Sequence, residues 1–311
     1  MSIAAGLLLY SMVVLVFGPS LLRRLTFNGQ APRCGVAAWL TAIASVLTTW
    51  LLAAVLFVVD VSGHWYQGTY VVSCLTRLHA VAAGAAGLTA QVGILTLTSG
   101  GALSVAVLTI RLSRALGHLR ARTRDHAAAV RLVGKTANDV VVVHAAEPAA
   151  YCVDGRPPVI VVTTAAIAAL DEQELTAVLA HERAHLSGHH PNVVAVLRGL
   201  AKVFPRFRLM TEGAAEVSRL LEMRADDAAT RQQGRNALLS GLIALAGAAP
   251  SEALGAADIA VLARAKRLST PAARAHRART AAVLSSAMTV MAAGALITVA
   301  VAVSGALMCG T

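Results

Sequence analysis

Acidic residues are scarce in this chain. Its 311 residues hold 16 Asp and Glu against 27 Lys and Arg, a formal net charge of +11. Even these charges are missing from long stretches: none falls in residues 2–22, 35–59, 80–110 or 281–311. With 57% hydrophobic residues and a mean hydropathy of +0.66, the composition excludes an ordinary soluble globular protein. Cysteine is equally sparse. Four scattered cysteines are too few for a disulfide framework or a cysteine-based zinc site. Zinc-finger, helix-turn-helix and RNA-binding signatures are missing too. The positive charge therefore does not indicate direct nucleic acid binding.

What is present begins with those uncharged runs. A bilayer core takes about 20 apolar residues per helix. The runs predict four transmembrane helices, at about 3–22, 36–59, 87–110 and 282–307. Small and hydroxylated residues in the third (Thr96, Thr98, Ser99, Gly100, Gly101) suit close helix packing. Arginine and lysine set the orientation. Arg23, Arg24 and Arg33 follow the first helix. A dense basic segment from Arg111 to Lys135 follows the third. Arg264, Lys266, Arg267, Arg274, Arg277 and Arg279 precede the fourth, whereas the loop at 60–86 offers only Arg77. The expectation is a multi-pass plasma-membrane protein with both termini outside and residues 111–280 in the cytoplasm. The first helix lacks a basic leader and a small-residue cleavage site, which argues against a removed signal peptide. The predicted organisation is a membrane domain at 1–110, a cytoplasmic domain at 111–280, and a last helix with a short outer tail at 281–311.

Within the cytoplasmic segment, residues 181–185 read His-Glu-Arg-Ala-His, the pattern H-E-x-x-H. On a helix, positions i and i+4 share a face. His181 and His185 can then reach one metal ion, and Glu182 stands beside them as a base. Asp171 and Glu174 form a capping-box start, Leu175, Val178, Leu179 and Leu186 recur at helical spacing, and Gly188 with Pro191 marks the stop. Catalytic zinc usually keeps three protein ligands. A third His six residues after His185 is ruled out, because position 191 is Pro. A later helix, 217–227, offers Glu222 and Asp226 at i and i+4. Glu222 suits the third ligand position, and Asp226 suits a carboxylate that holds a ligand histidine through its other nitrogen. The plainer alternative is a solvated acidic face paired with Arg219 and Arg224. A His/His/Glu set favours zinc, one ion per chain, over other divalent metals.

The remaining elements are short. Residues 139–144 and 159–163 read as strands, 151–158 as turn-rich, and 165–170 as a short helix. A free edge on the strand at 159–163 would let an extended peptide pair beside the metal; the alternative is a covered edge. Segment 197–210 mixes basic and large apolar residues, and reads either as a membrane-surface helix or as one packed on the core. Cys152 reads as a buried thiol, or else as an inhibitory thiolate on the metal. His189, His190, His126, His144 and His276 read as ordinary histidines. Cys74 and Cys309 fall on the same side of the predicted topology and could pair.

Taken together, Tyr151, the run Arg-Pro-Pro-Val-Ile-Val-Val-Thr, Leu-Ala-His-Glu-Arg-Ala-His and Leu-Glu-Met-Arg-Ala-Asp resemble the BlaR/MecR-type membrane metallopeptidases. The likeness is to their short actinobacterial members, and covers about 110–280. More distantly the chain is similar to the HtpX and CAAX-prenyl-protease group. The resemblance implies an α-helical integral membrane protein with a mostly α (α+β) zincin-like domain. It implies a zinc endopeptidase, with His181, His185 and Glu222 as metal ligands, Glu182 as general base and Asp226 behind the ligands. The antibiotic-sensing members carry a penicillin-binding domain after the last helix. This chain stops at Thr311, so β-lactam sensing is not expected of it. The HtpX-like group carries Ser/Thr-His-Pro late in the domain; here Ser269-Thr270-Pro271 lacks the His, which leaves Arg274 or Arg277 as oxyanion donors. Expected partners are the lipid bilayer and a protein substrate, such as a BlaI-like repressor or the chain itself. The alternatives are membrane quality control, as in the HtpX-like group, and a non-catalytic signal transducer. The intact Glu182 argues against the last, since a structural metal site needs no base.

Overall fold

The computed structural model describes residues 3–66, 88–155, 157–247 and 256–308. Among the described residues, three long helices open the chain: α1 (Ile3–Thr26), α2 (Pro32–Tyr66) and α3 (Leu88–Val133). Strands β1 (Lys135–Ala137), β2 (Val140–Val143), β3 (Ala150–Val153) and β4 (Val159–Thr163) follow. Next come α4 (Thr164–Ala169), α5 (Glu172–Ser187), α6 (His190–Val203), α7 (Arg208–Gln233), α8 (Arg235–Gly247), α9 (Ala256–Ser269) and α10 (Arg274–Met308).

Among the described residues, three stretches are long and apolar enough to cross a membrane: Gly6–Thr26, Pro32–Val55 and Arg274–Ile297. They overlap the expected spans at 3–22, 36–59 and 282–307. Leu8, Leu9, Met12, Val16 and Phe17 on α1, and Val290 and Leu296 on α10, stand exposed, which suits helices of this length and hydropathy to a lipid environment. The expected span at 87–110 forms the first part of α3, where most side chains lie outside the described residues. Cys74, Arg77 and Cys309 also lie outside them.

The sheet has the order β1-β2-β4-β3. β2 and β4 run parallel, and β3 pairs antiparallel with β4. β4 alternates with period two. Val159 and Val161 face Ala127 and Val130 of α3. Ile160 and Val162 face Ala166 of α4 and the half-buried Leu175, Leu179 and Leu186 of α5. Helices cover both sheet faces, so all five β4 residues are buried. β4 is therefore central, and among the described residues the free edge expected at 159–163 lies on β3 instead, within the stretch read as turn. β1 is a further departure: it pairs with β2 in a tight hairpin whose Asn138 takes a positive φ of 56°.

The largest core is shared by α1, α2, α6 and α7. Trp39, Ile43 and Val46 of α2 pack with Leu209, Met210, Val217 and Leu220 of α7 and with Leu197 and Leu200 of α6. The segment 197–210 is thus packed inward through its apolar residues. Phe204 and Phe207 close on Trp50 at ring-centroid distances of 5.7 and 5.4 Å. Between α1 and α2, Gly29 takes a φ of +58°, and a Cβ there would stand 2.1 Å from the Met223 sulfur. Arg219 donates to the carbonyls of Thr26 and Phe27 (2.9 and 3.2 Å), and Arg267 to that of Gly29 (2.9 Å). The turn of the apolar hairpin is therefore clamped onto α7 and α9.

Candidate metal centre

α5 carries the H-E-x-x-H residues on a well-defined start. Asp171 Oδ1 accepts the Glu174 amide at 2.8 Å, and Glu174 Oε2 accepts the Asp171 amide at 3.0 Å. This capping box satisfies two amides that the first turn would leave orphaned. The helix ends at Gly188, and His189 follows at a positive φ of 52°. Arg183 points away from the site and holds Asp139, ahead of β2, through 2.7 and 3.0 Å bonds.

α7 runs beside α5 and presents Glu222 to it. The two Nε2 atoms of His181 and His185 stand 3.1 Å apart. His181 Nε2 lies 3.4 Å from Glu222 Oε2, and His185 Nε2 lies 3.5 Å from Glu222 Oε1. The three donors fall within 4.8 Å of one another. Ligand atoms roughly 2.0–2.2 Å from one tetrahedral ion would stand about 3.3 Å apart. The donor set and its spacing therefore fit a zinc-sized ion.

Behind these donors sits a buried charge network. Asp226 is fully buried, with Oδ1 3.1 Å from His181 Nδ1. Arg264, from α9, grips Asp226 with two bonds of 2.6 and 3.0 Å and reaches Glu222 at 3.2 Å. Burial alone would raise the Asp226 pKa, but His181 and Arg264 hold it below its ordinary value. Burial likewise opposes the Glu222 carboxylate, and hydrogen bonding to His181 and His185 holds its pKa far down. At His181, burial lowers the pKa, yet the Asp226 and Glu222 carboxylates outweigh it and push it up to about 9. Arg264 was not foreseen. Arg274 and Arg277 are exposed on α10 and do not line the cavity, so the cation at this site comes from one helix earlier.

His190 was also missed. Its side chain is buried, and its Nδ1 lies 3.0 Å from His185 Nδ1. It is not among the three donors; it orients one of them. His189, His126, His144 and His276 are not among the grouped donors, and His126 stacks on Tyr151.

The donors open into a cavity of about 380 Å³ bounded by Tyr151 and Cys152 of β3, by Glu182, and by Leu238, Leu242 and Arg264. Burial raises the Glu182 pKa. Burial and the nearby Glu182 and Glu222 carboxylates push the Cys152 thiol up to about 12. Cys152 is not among the three grouped donors, which disfavours the inhibitory-thiolate alternative.

Residues 113–210 match the model of peptidase family M48. No curated protein and no solved structure gives a match. The family match supports a metallopeptidase, and families of this kind work with zinc. It takes in His181, Glu182 and His185 and ends at Met210. The third donor, Glu222, lies beyond the matched residues and rests on its sequence spacing and on the geometry.

Proposed function

We propose that the chain is a membrane-embedded, zinc-dependent endopeptidase of the BlaR/MecR type that cuts peptide bonds on the cytoplasmic side. One observation carries the reading: three convergent donors and a raised-pKa carboxylate share a cavity beside β3, an edge strand among the described residues. A structural metal site would need neither the carboxylate nor the edge. The cytoplasmic placement of 111–280 rests on the arginine and lysine distribution.

His181, His185 and Glu222 would hold the metal. Asp226 fixes His181 by accepting its Nδ1–H, and His190 Nδ1 accepts from His185, which leaves both Nε2 lone pairs for ligation. When bound, zinc lowers the pKa of water and polarises the scissile carbonyl. An extended substrate adds to the outer edge of β3, which sets its backbone over the cavity. Glu182 takes a proton from the attacking water and passes it to the leaving nitrogen. Its raised pKa suits both transfers. Arg264 balances the buried Asp226 carboxylate and adds to the pull of His181 and His185 that keeps Glu222 ionised.

The substrate we favour is a cytoplasmic repressor resembling BlaI, or this chain itself. The clamped α1–α2 turn favours regulation, because it ties the apolar hairpin to the helices that carry Glu222 and Arg264. Wild type and Glu182→Ala, expressed at matched levels in the same membranes, would be compared for newly generated protein N-termini. Cuts confined to a repressor or to this chain, and lost in the variant, support the proposal. Many cuts spread over membrane proteins point to HtpX-like quality control. Identical patterns at full metal loading count against proteolysis.

A further inference from the structure

A second cavity lies behind the metal centre, and neither the peptidase reading nor the family match uses it. It measures about 150 Å³ and is bounded by Arg33 at the start of α2, Arg224 of α7, Ser187, and the buried ring of His190. At about 30 Å³ per water, it has room for a tetrahedral oxyanion with some of its hydration. Its lining contains two guanidinium groups and no carboxylate. Among the described residues, neither Arg33 nor Arg224 makes an ion pair or a side-chain hydrogen bond.

The buried ring supplies the independent sign. His190 is 2% exposed, yet its Nε2 has no hydrogen-bond partner. An unpaired buried polar atom costs about 1–3 kcal/mol, so a group in the cavity would relieve it. Gly188 leaves space beside that nitrogen, since a Cβ there would come within 2.4 Å of it. The chemistry of Nε2 follows from its neighbour. If His185 ligates through Nε2, its Nδ1 carries the proton and donates to His190 Nδ1, so His190 carries its own proton on Nε2. This one step rests on the metal-centre reading; the two arginines do not. α6 also begins at His190, and the positive end of its dipole favours an anion nearby.

We infer that Arg33, Arg224 and the His190 Nε2–H form a binding site for a phosphate group, donated either by inorganic phosphate or by a lipid headgroup. A bound phosphate accepts from Nε2–H, makes His190 Nδ1 a better acceptor for His185, and so links the α2 start to the metal centre.

The test uses the full chain purified in a maltoside detergent. Inorganic phosphate is titrated calorimetrically into wild type, Arg33→Gln and Arg224→Gln, and bound phospholipid is counted by phosphorus analysis. Metal content is measured in parallel, so a failed metal centre is told apart from a failed phosphate site. Saturable phosphate binding that weakens about tenfold or more in each variant supports the site, filled from solution. Copurifying phospholipid whose stoichiometry falls in both variants supports it with a headgroup as the source. Phosphate affinity and lipid content that are undetectable, or that neither substitution changes, overturn it.

Discussion

Replacing Asp226 with Asn removes one charge from the centre of the site with little change in volume. In the wild type the carboxylate accepts from His181 Nδ1 and takes two bonds from Arg264, and it is completely buried. Two consequences follow. His181 loses the anion that orients its ring, and loss of such a partner typically costs about 10–100-fold in metal affinity. Of its carboxylate partners Arg264 keeps Glu222, which also faces the histidines. Stranding one partner of a buried pair costs about 3–5 kcal/mol. The retained Glu222 contact should hold the loss near the lower end. Zinc affinity would be measured by chelator competition, and stability by thermal unfolding of the metal-free and loaded chain. Asp227→Asn is the control, since Asp227 is only half-buried and pairs with Arg267. Wild-type zinc affinity in Asp226→Asn, with stability also unchanged, would refute the role given to this network.

Four further outcomes are expected. Glu182→Gln should keep metal content and lower turnover by at least about 100-fold, read from metal analysis beside peptide cleavage. Stability of the metal-free chain should depend on pH through His181. Its pKa rises from 6.5 to about 9 on folding, so its contribution is complete below pH 6.5 and is lost as the pH climbs toward 9; unfolding of metal-free protein across that range checks it, and the slope should vanish on metal loading, which demands neutral His181. Gly29→Ala should destabilise by about 1–2 kcal/mol or more, from the left-handed backbone and the displaced Met223, seen as a lowered unfolding temperature. Arg183→Ala should cost no more than about 1 kcal/mol, because Arg183 and Asp139 are each about half exposed; a larger loss would show that this pair fastens α5 more firmly than its exposure suggests.

Local patterns carried the legible part of this molecule. The capping box, the i and i+4 spacing of His181 and His185, and the later Glu222 and Asp226 pair are all short-range signals, and the structure brings those four metal-centre residues together. What stayed hidden depends on long-range placement. Nothing near Arg264 distinguishes it from Lys266 or Arg267; only the packing of α9 against α8 turns it into the site. His190 was obscured by the helix break at Gly188 and Pro191. The break is real, but the left-handed turn at His189 swings the next ring back against His185. β3 was lost among Gly155, Pro157 and Pro158, because a four-residue strand has little periodicity of its own. Its neighbour β4 then seemed to own the free edge. The uncharged runs indicated apolar helices, but not that α7 would share a core with α1 and α2.

X-ray absorption at the zinc edge of the loaded full chain tests the metal centre most directly. The account predicts one zinc per chain with a four-coordinate shell of nitrogen and oxygen, two imidazoles among them, and loss of bound zinc in Glu222→Ala. A sulfur ligand, or a shell and affinity unchanged by Glu222→Ala, would contradict it.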